Sequence, residues 1–348
     1  HPSFKGLRED KKPRQVVREN PEQSGDSGNG AGEPAAEKKK NSRRRAADNN
    51  GGGSFAGITL SNPDKVLYPE MGLTKMQLAE YYEKVAGWIL PHVEKRPLTL
   101  VRCPSGHNKN CFYQKHLNET VPDAIHSVKI KEKEDEENPY MYIDDAAGLI
   151  TLVQMGVLEI HPWGSRVDKL EKPDIMIFDL DPDKGMEWGR VVNAARTLRE
   201  TLDSLGLQSF LKTSGGKGLH LVVPLQRRTD WDDTKSFARA VAEFHTRKSP
   251  EEFIATMSKA KRKGKIFIDY LRNGRGATSV APYSTRARSG APVSAPIRWD
   301  ELSESLKPGS YTVENLPRRL AQLKEDPWVG FFDVRQSITK KMMKELQS

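Results

Sequence analysis

Cysteine is scarce in this sequence, with only Cys103 and Cys111 among 348 residues. That excludes a disulfide-stapled scaffold and fits a reducing compartment, where two small buried side chains are expected. Long apolar runs are missing as well. No stretch reaches the ~18 residues that a membrane helix needs, so no membrane partner is expected. The first residues are polar and charged, which excludes a secretion signal. A chain that opens on His1 reads as a fragment of something longer. No internal repeat is present. From these absences a soluble intracellular protein is expected.

What the sequence does have is charge. Lysine and arginine number 56 against 47 acids, a formal net charge of +9. A basic balance favours polyanionic partners. Residues 1–53 are rich in Gly, Ser, Pro, Glu and Lys and nearly lack large apolar side chains, so a flexible linker is expected. Its basic clusters, Lys38–Lys40 and Arg43–Arg45, either meet phosphates or stay solvated.

From residue 54 the composition turns globular. Thr74 can cap a helix that carries Leu78, Tyr81, Tyr82, Val85, Trp88 and Ile89 at helical spacing. "PLTLVRC" reads as a strand, and "IHSVKIKEKEDEENPYMYIDD" as a hairpin with an acidic tip. "LITLVQMGVLEIHPW" fits helix or strand. "DIMIFDLDP" reads as a buried strand, and "MEWGRVVNAARTLRETLDSLG" as an amphipathic helix closed by Gly206. "SFLKTSGGKGLHLVVPL" is strand, glycine turn, strand. "DTKSFARAVAEFHTRKSPEEFIATMSKAKRKG" predicts two helices divided at Ser249-Pro250. "KIFIDYL" and "ATSVAPYS" predict further strands. The order is that of an α+β fold.

Asp179 and Asp181 end the run "DIMIFDLDP". In a strand they share a face, with Leu180 on the other. Carboxylates this close repel unless a cation lies between them, and hard oxygen donors suit Mg²⁺ or Mn²⁺. An Asp-Pro turn with a cap is the alternative. Asp269 is a third acid in an apolar strand, where an unpaired carboxylate is costly. It either joins the first two in a two-metal phosphoryl-transfer centre or pairs with Arg262 or Arg272.

The turn Ser214-Gly215-Gly216-Lys217-Gly218 lies between two strands. Its glycines let backbone N–H groups close on phosphate oxygens, Lys217 adds a point charge, and His220 follows as a donor. The Walker A spacing is absent, and a plain hairpin turn is the alternative. Arg272, Arg275, Arg286 and Arg288 are either phosphate partners or solvated loop charges. Phe112 and Tyr113, flanked by Lys115 and His116, suit stacking on bases, or else form a core Phe with an edge Tyr. Cys103, His107, Cys111 and His116 raise the question of zinc, but the ligand spacing of a finger is missing.

In this order, "FDLDPDKG", "TSGGKGLHLVVPL", "GKIFIDYLRNGRGATSVAPYS" and "RARSGAP" closely resemble the polymerase module of bacterial DNA ligase D. That module belongs to the archaeo-eukaryotic primase superfamily. The resemblance runs from about Ile58 to the C-terminal region. It implies an α+β primase-polymerase core of mostly antiparallel sheets flanked by helices, over residues 54–348. The opening "HPSFKGLREDKKP" is similar to the end of a ligase module, so residues 1–53 would be that end plus a basic linker.

The implied activity is template-directed nucleotidyl transfer. It would add (ribo)nucleotides to primer 3′ ends at gaps and double-strand breaks during bacterial non-homologous end joining. Two Mn²⁺ or Mg²⁺ ions are implied. So are three partners: DNA with a 5′-phosphate, NTP or dNTP, and the bacterial Ku end-binding protein. The place would be the bacterial cytoplasm, at the nucleoid. By the resemblance, Asp179, Asp181 and Asp269 hold the metal ions. His161, Ser214, Lys217, His220 and Arg286 hold the incoming nucleotide. Lys65 and Lys75 hold the downstream 5′-phosphate, Arg102 lies on the same DNA-binding side, and Phe112 and Tyr113 stack on template bases. The hairpin around Glu134–Asn138 corresponds to a loop that some relatives use to bring DNA ends together. No adenylation-lysine motif is present, so nick sealing would belong to another part of the parent protein. A non-catalytic DNA-end-binding module that tethers the ligase is the alternative.

Overall fold

The computed structural model describes residues 54–117, 122–133 and 136–347. The linker expected over residues 1–53, with its basic clusters, lies outside the described residues, as do residues 134 and 135 of the acidic hairpin tip.

Two small hairpins come first, β1 (Ser54–Phe55) with β2 (Ile58–Thr59) and β3 (Val66–Tyr68) with β4 (Leu73–Thr74). They lead into α1 (Lys75–Val93), where Thr74 caps the helix and exchanges a reciprocal capping box with Gln77. The apolar positions at helical spacing are buried as expected: Leu78, Tyr81, Tyr82, Val85 and Ile89. Next come β5 (Leu98–Arg102), β6 (Phe112–Gln114), β7 (His126–Lys133) and β8 (Glu136–Tyr142). The segment that fitted helix or strand is both: α2 (Ala146–Gln154), capped by Asp145, then β9 (Val157–Pro162).

The second half runs β10 (Ile175–Pro182), α3 (Trp188–Ser204), β11 (Phe210–Thr213), β12 (Leu219–Pro224), α4 (Trp231–Lys248), β13 (Phe253–Ile254), β14 (Ile266–Asp269) and β15 (Pro296–Ile297). Two short helices, α5 (Leu316–Gln322) and α6 (Lys340–Gln347), follow. Gly206 closes α3 at φ +76°, a backbone conformation that glycine adopts without penalty. Among the described residues no helix is long and apolar enough to cross a membrane.

Two sheets position the functional residues. The larger has six strands in the order β13-β14-β10-β12-β11-β15, antiparallel except for β13 beside β14. The smaller is β6-β5-β9, all antiparallel, and β7 and β8 form the long hairpin. Alternation along the large sheet splits its two faces. Phe178, Leu180, Leu221 and Ile268 bury one face under Val191, Leu198, Phe237 and Val241 of α3 and α4. On the other face Phe210 and Val222 meet Trp328 and Phe331 at one end. The acids occupy the other end of that face.

Three expectations are corrected. The helix after Ser249-Pro250 does not form: Phe253 and Ile254 pair in parallel with Ile266 and Phe267, and Lys259–Arg262 makes a 3₁₀ turn. Pairing with a neighbouring strand outweighs helical spacing there. "ATSVAPYS" is not a strand. It crosses the seam between the sheets, with Ala281 N–H donating to the Ile160 carbonyl at 2.8 Å and Tyr283 N–H to the Ser294 carbonyl at 2.7 Å. Tyr283 at φ +65° breaks the extended run. Finally, Cys103 and Cys111 are joined as a disulfide, with Cα atoms 4.3 Å apart. Cys103 is buried, but Cys111 is exposed at the start of β6, so two separate buried thiols are excluded.

Candidate active site

Register builds the centre of the site. Lys212 lies opposite His220 in the ladder between β11 and β12, His220 opposite Asp179, and Asp179 opposite Asp269. The four make one row across four strands, all on the face away from α3 and α4. Each is buried, with Lys212 at 1 % and Asp179 at 7 % relative exposure. Buried charge needs partners. Lys212 Nζ donates to His220 Nδ1 at 3.0 Å, the Val280 carbonyl at 2.9 Å and Ser294 Oγ at 2.8 Å, which uses all three of its donors. With Nδ1 accepting, the proton of neutral His220 sits on Nε2, which is 3.3 Å from Asp179 Oδ1. Burial, then the Lys212 charge, pushes the His220 pKa down to about 4. Burial alone would raise Asp179, but His220, Arg272 and Lys212 hold it below the usual carboxylate range.

Asp181 lies two residues further along β10, on the same face. Its side chain has no ion pair or hydrogen bond among the described residues. Burial, then the charges of Asp179 and Asp269, pushes it up to about 6. Asp269 is also raised, by burial first. Arg272 reaches into this group, its Nε 3.2 Å from Asp269 Oδ2 and 3.6 Å from Asp179 Oδ2. The ion pair considered for Asp269 therefore exists, with Arg272; Arg262 instead lies over the Phe267 ring at 3.7 Å. Among the described residues no three His, Cys, Asp or Glu side chains are drawn together as a finished metal cage. The donor chemistry still fits a hard divalent cation: Asp179, Asp181 and Asp269 put carboxylate oxygens on one face, beside His220, and the Asp181 side chain has no partner among the described residues.

The glycine turn closes against β10. Ser214 Oγ accepts from the Gly216 and Gly218 N–H groups, each at 3.1 Å. Two of the amides expected to face phosphate thus serve the turn itself. A Cβ on Gly218 would stand 1.9 Å from the Leu180 carbonyl oxygen, so only glycine lets the turn pass there. Lys217 projects from the turn, exposed. Arg286 Nη1 donates to the Ser214 carbonyl at 2.5 Å and ties the turn to the C-terminal loop.

The structure gathers most of the expected residues around one cleft of about 320 Å³. Asp179, Asp181, His161, Ser214, Lys217, His220 and Arg286 line it, together with Arg272 and Arg288. Asp269 adjoins it through its pairing with Asp179. The residues expected to hold DNA lie outside this lining. Phe112 and Tyr113 are 47 % and 77 % exposed, which rules out a core Phe112. Arg102 is committed to the protein: Nε donates to the Met155 carbonyl at 2.9 Å, Nη1 to Gln114 Oε1 at 2.7 Å, and the guanidinium lies 5.4 Å from the Phe112 ring centre. Lys65 is exposed, whereas Lys75 is buried and donates to the Ser61 carbonyl at 2.9 Å.

Lys212 and Glu159 were not anticipated. Both are charged residues inside apolar strands, "FLKT" and "VLEIH", and that misfit was the available signal.

Comparison with known proteins places the sequence and the fold. The family model described as "LigD, primase-polymerase domain" matches residues 74–328. The chain is 39 % identical over 345 residues to the multifunctional non-homologous end joining protein LigD of Pseudomonas aeruginosa, covering 99 % of this chain and 39 % of that protein. It is 35 % identical over 249 residues to the protein of the same description from Mycolicibacterium smegmatis, covering 71 % of this chain and 32 % of the relative. The chain thus spans well under half the length of these relatives. Among solved structures, the polymerase domain from Mycobacterium tuberculosis ligase D in complex with DNA superposes with a TM-score of 0.74 at 33 % identity. That match covers 78 % of this chain and 96 % of the other. The family match covers most of the chain and the fold agrees with it: the chain belongs to the LigD primase-polymerase domain family.

Proposed function

We propose that residues 54–348 form a template-directed nucleotidyltransferase that adds nucleotides to primer 3′ ends at gaps and broken ends in bacterial end joining. The observation that carries this reading is the buried row Lys212–His220–Asp179–Asp269, with Asp181 beside it on the wall of a basic cleft. Asp179, Asp181 and Asp269 would hold the divalent cations, Mn²⁺ or Mg²⁺. When bound, such ions supply Lewis-acid activation of a hydroxyl and charge neutralisation on a triphosphate.

The chain's own residues do the rest. Lys212 and His220 keep Asp179 ionised and fix its direction. Lys217 and Arg288, both exposed at the cleft, offer cationic donors to a triphosphate. Arg286, held by the Ser214 carbonyl, forms the wall that meets the nucleotide. Phe112 and Tyr113 present open ring faces for template bases. Lys65, with Lys75 at the start of α1, supports a downstream 5′-phosphate near a helix N-terminus. Arg102 would serve by propping Phe112. Ku, and the joining of this domain to a ligase through residues 1–53, belong to the same proposal.

The test is extension of a primer on a gapped, 5′-phosphorylated template with NTPs and Mn²⁺. The proposal predicts templated addition that Asp179→Ala abolishes while DNA binding persists. Salt-sensitive DNA binding without extension under either metal would instead favour the non-catalytic tether.

A further inference from the structure

Glu159 has no part in the reaction as proposed above, yet it holds two residues of the cleft lining, His161 and Arg286. It lies in β9, two residues before His161, so both side chains leave the strand on one face. Its side chain is only 9 % exposed. An acid this buried requires compensation, and three groups provide it. Oε2 accepts from His161 Nε2 at 2.8 Å. Oε2 also lies 3.0 Å from Arg286 Nε, as an ion pair off the hydrogen-bond axis. Oε1 accepts from the Ala287 N–H at 2.9 Å. Burial would raise its pKa, but these contacts hold it down at about 2, so the group is an anion at neutral pH.

The partners give this anion its meaning. His161 and Arg286 both line the cleft. Arg286 continues the chain, since its Nη1 grips the Ser214 carbonyl at the glycine turn. One carboxylate on the three-stranded sheet therefore anchors the wall and, through Arg286, the turn of the six-stranded sheet. Without that anion, the His161 ring would lose its acceptor and the Arg286 side chain would keep only the Ser214 carbonyl. A purely structural ion pair would leave the cleft lining unchanged when removed; this one holds two members of that lining.

We infer that Glu159 is a positioning residue for nucleotide binding, fixing His161, Arg286 and the Ser214–Gly218 turn in one arrangement before the nucleotide arrives. The inference rests on the polymerase reading and deepens it at the nucleotide pocket. Preorganisation of this kind acts on binding first, because the cost of ordering the wall is met before the ligand is present.

The experiment measures ATP binding and nucleotide addition separately, with the full chain and Mn²⁺. Calorimetric titration of ATP without DNA gives Kd; gap extension gives KM and kcat. Glu159→Gln keeps size and one acceptor but removes the charge. The expected result is a tenfold or greater rise in Kd and in KM for the nucleotide, with kcat within about threefold and DNA affinity unchanged. Arg286→Met should raise Kd as well. The double variant should be no more than about twofold worse than Arg286→Met, because Glu159 acts largely through that residue. An unchanged Kd, a loss confined to kcat, or fully multiplicative effects in the double variant would overturn the inference. If Glu159→Gln fails to fold, the apolar pair Glu159→Leu with Arg286→Met should restore the melting temperature. That pair should still bind ATP poorly, and wild-type affinity in it would also overturn the inference. A wild-type chain that binds ATP but never extends DNA sinks the polymerase reading while leaving the Kd comparison intact. A wild-type chain that binds no ATP overturns the Glu159 assignment itself.

Discussion

The six-stranded sheet hides its charged residues, and the three-stranded sheet displays its aromatic ones. Lys212, His220, Asp179 and Asp269 stand in a row under cover, while Phe112 and Tyr113 point their rings into solvent. The contrast follows from what each must do. Groups that steer charge in a reaction are worth more when water is excluded and their orientation is set in advance. A surface for bases of any sequence needs open π-faces that make no demand on identity. Under the proposed function, chemistry and template holding are divided between two sheets, with Glu159 at the join.

Substitutions should break the two sides in different ways. The largest effect is expected from Asp179→Ala, which should cut nucleotide addition on the order of a thousandfold or more. DNA affinity, measured by fluorescence anisotropy, should stay within twofold. Equal losses in both would show that the two sheets are not separate in function.

Acid should expose the buried side next. His92, against Trp328 and Phe331, is pushed down to about 3 by burial and then by Arg96. His245, on the helix behind the six-stranded sheet, is pushed down to about 4 by burial. The unfolded chain takes up these protons near pH 6.5 and the folded chain only near 3 to 4. The unfolded state therefore binds more protons in that window, and stability falls as pH drops through it. Each histidine should cost about 2 kcal/mol at pH 5. Thermal melts of His245→Leu between pH 7 and pH 5 should show a shallower decline than wild type.

On the exposed side, Phe112→Ala or Tyr113→Ala should weaken template binding about tenfold, the size of one lost stacking contact. The extension rate at saturating DNA should barely move. The smallest effect is expected from Lys65→Ala. It should weaken binding to a 5′-phosphorylated gap a few-fold and reduce the salt dependence by about one ion. A Lys65 effect that persists without the 5′-phosphate would place that lysine elsewhere on the DNA.

The divided design also explains what could be read from the sequence. "DIMIFDLDP", "KIFIDYL" and the glycine turn are local patterns, and each formed where its period placed it. The register of those strands is not local. That His220, Asp179 and Asp269 become neighbours depends on pairings between segments far apart in the chain. Lys212 and His220 lie only eight residues apart across a hairpin, but which residues face each other there is set by the turn and not by the strand pattern. The misfit of Glu159 in an apolar run is local, but its cation, Arg286, lies far along the sequence. The segment after Pro250 failed for the same reason, since its partner strand decided its shape. The cysteine pair was misjudged because a low count says nothing about proximity. The strands β5 and β6 bring Cys103 and Cys111 together as they fold back on one another.

The sharpest test is direct counting of bound Mn²⁺ by electron paramagnetic resonance, in the presence of ATP, for wild type, Asp179→Ala and Asp269→Ala. Wild type should bind the ion, and each variant should lose at least tenfold in affinity while keeping its melting temperature. Undiminished Mn²⁺ binding by both variants would contradict a shared cation pocket formed by these strands.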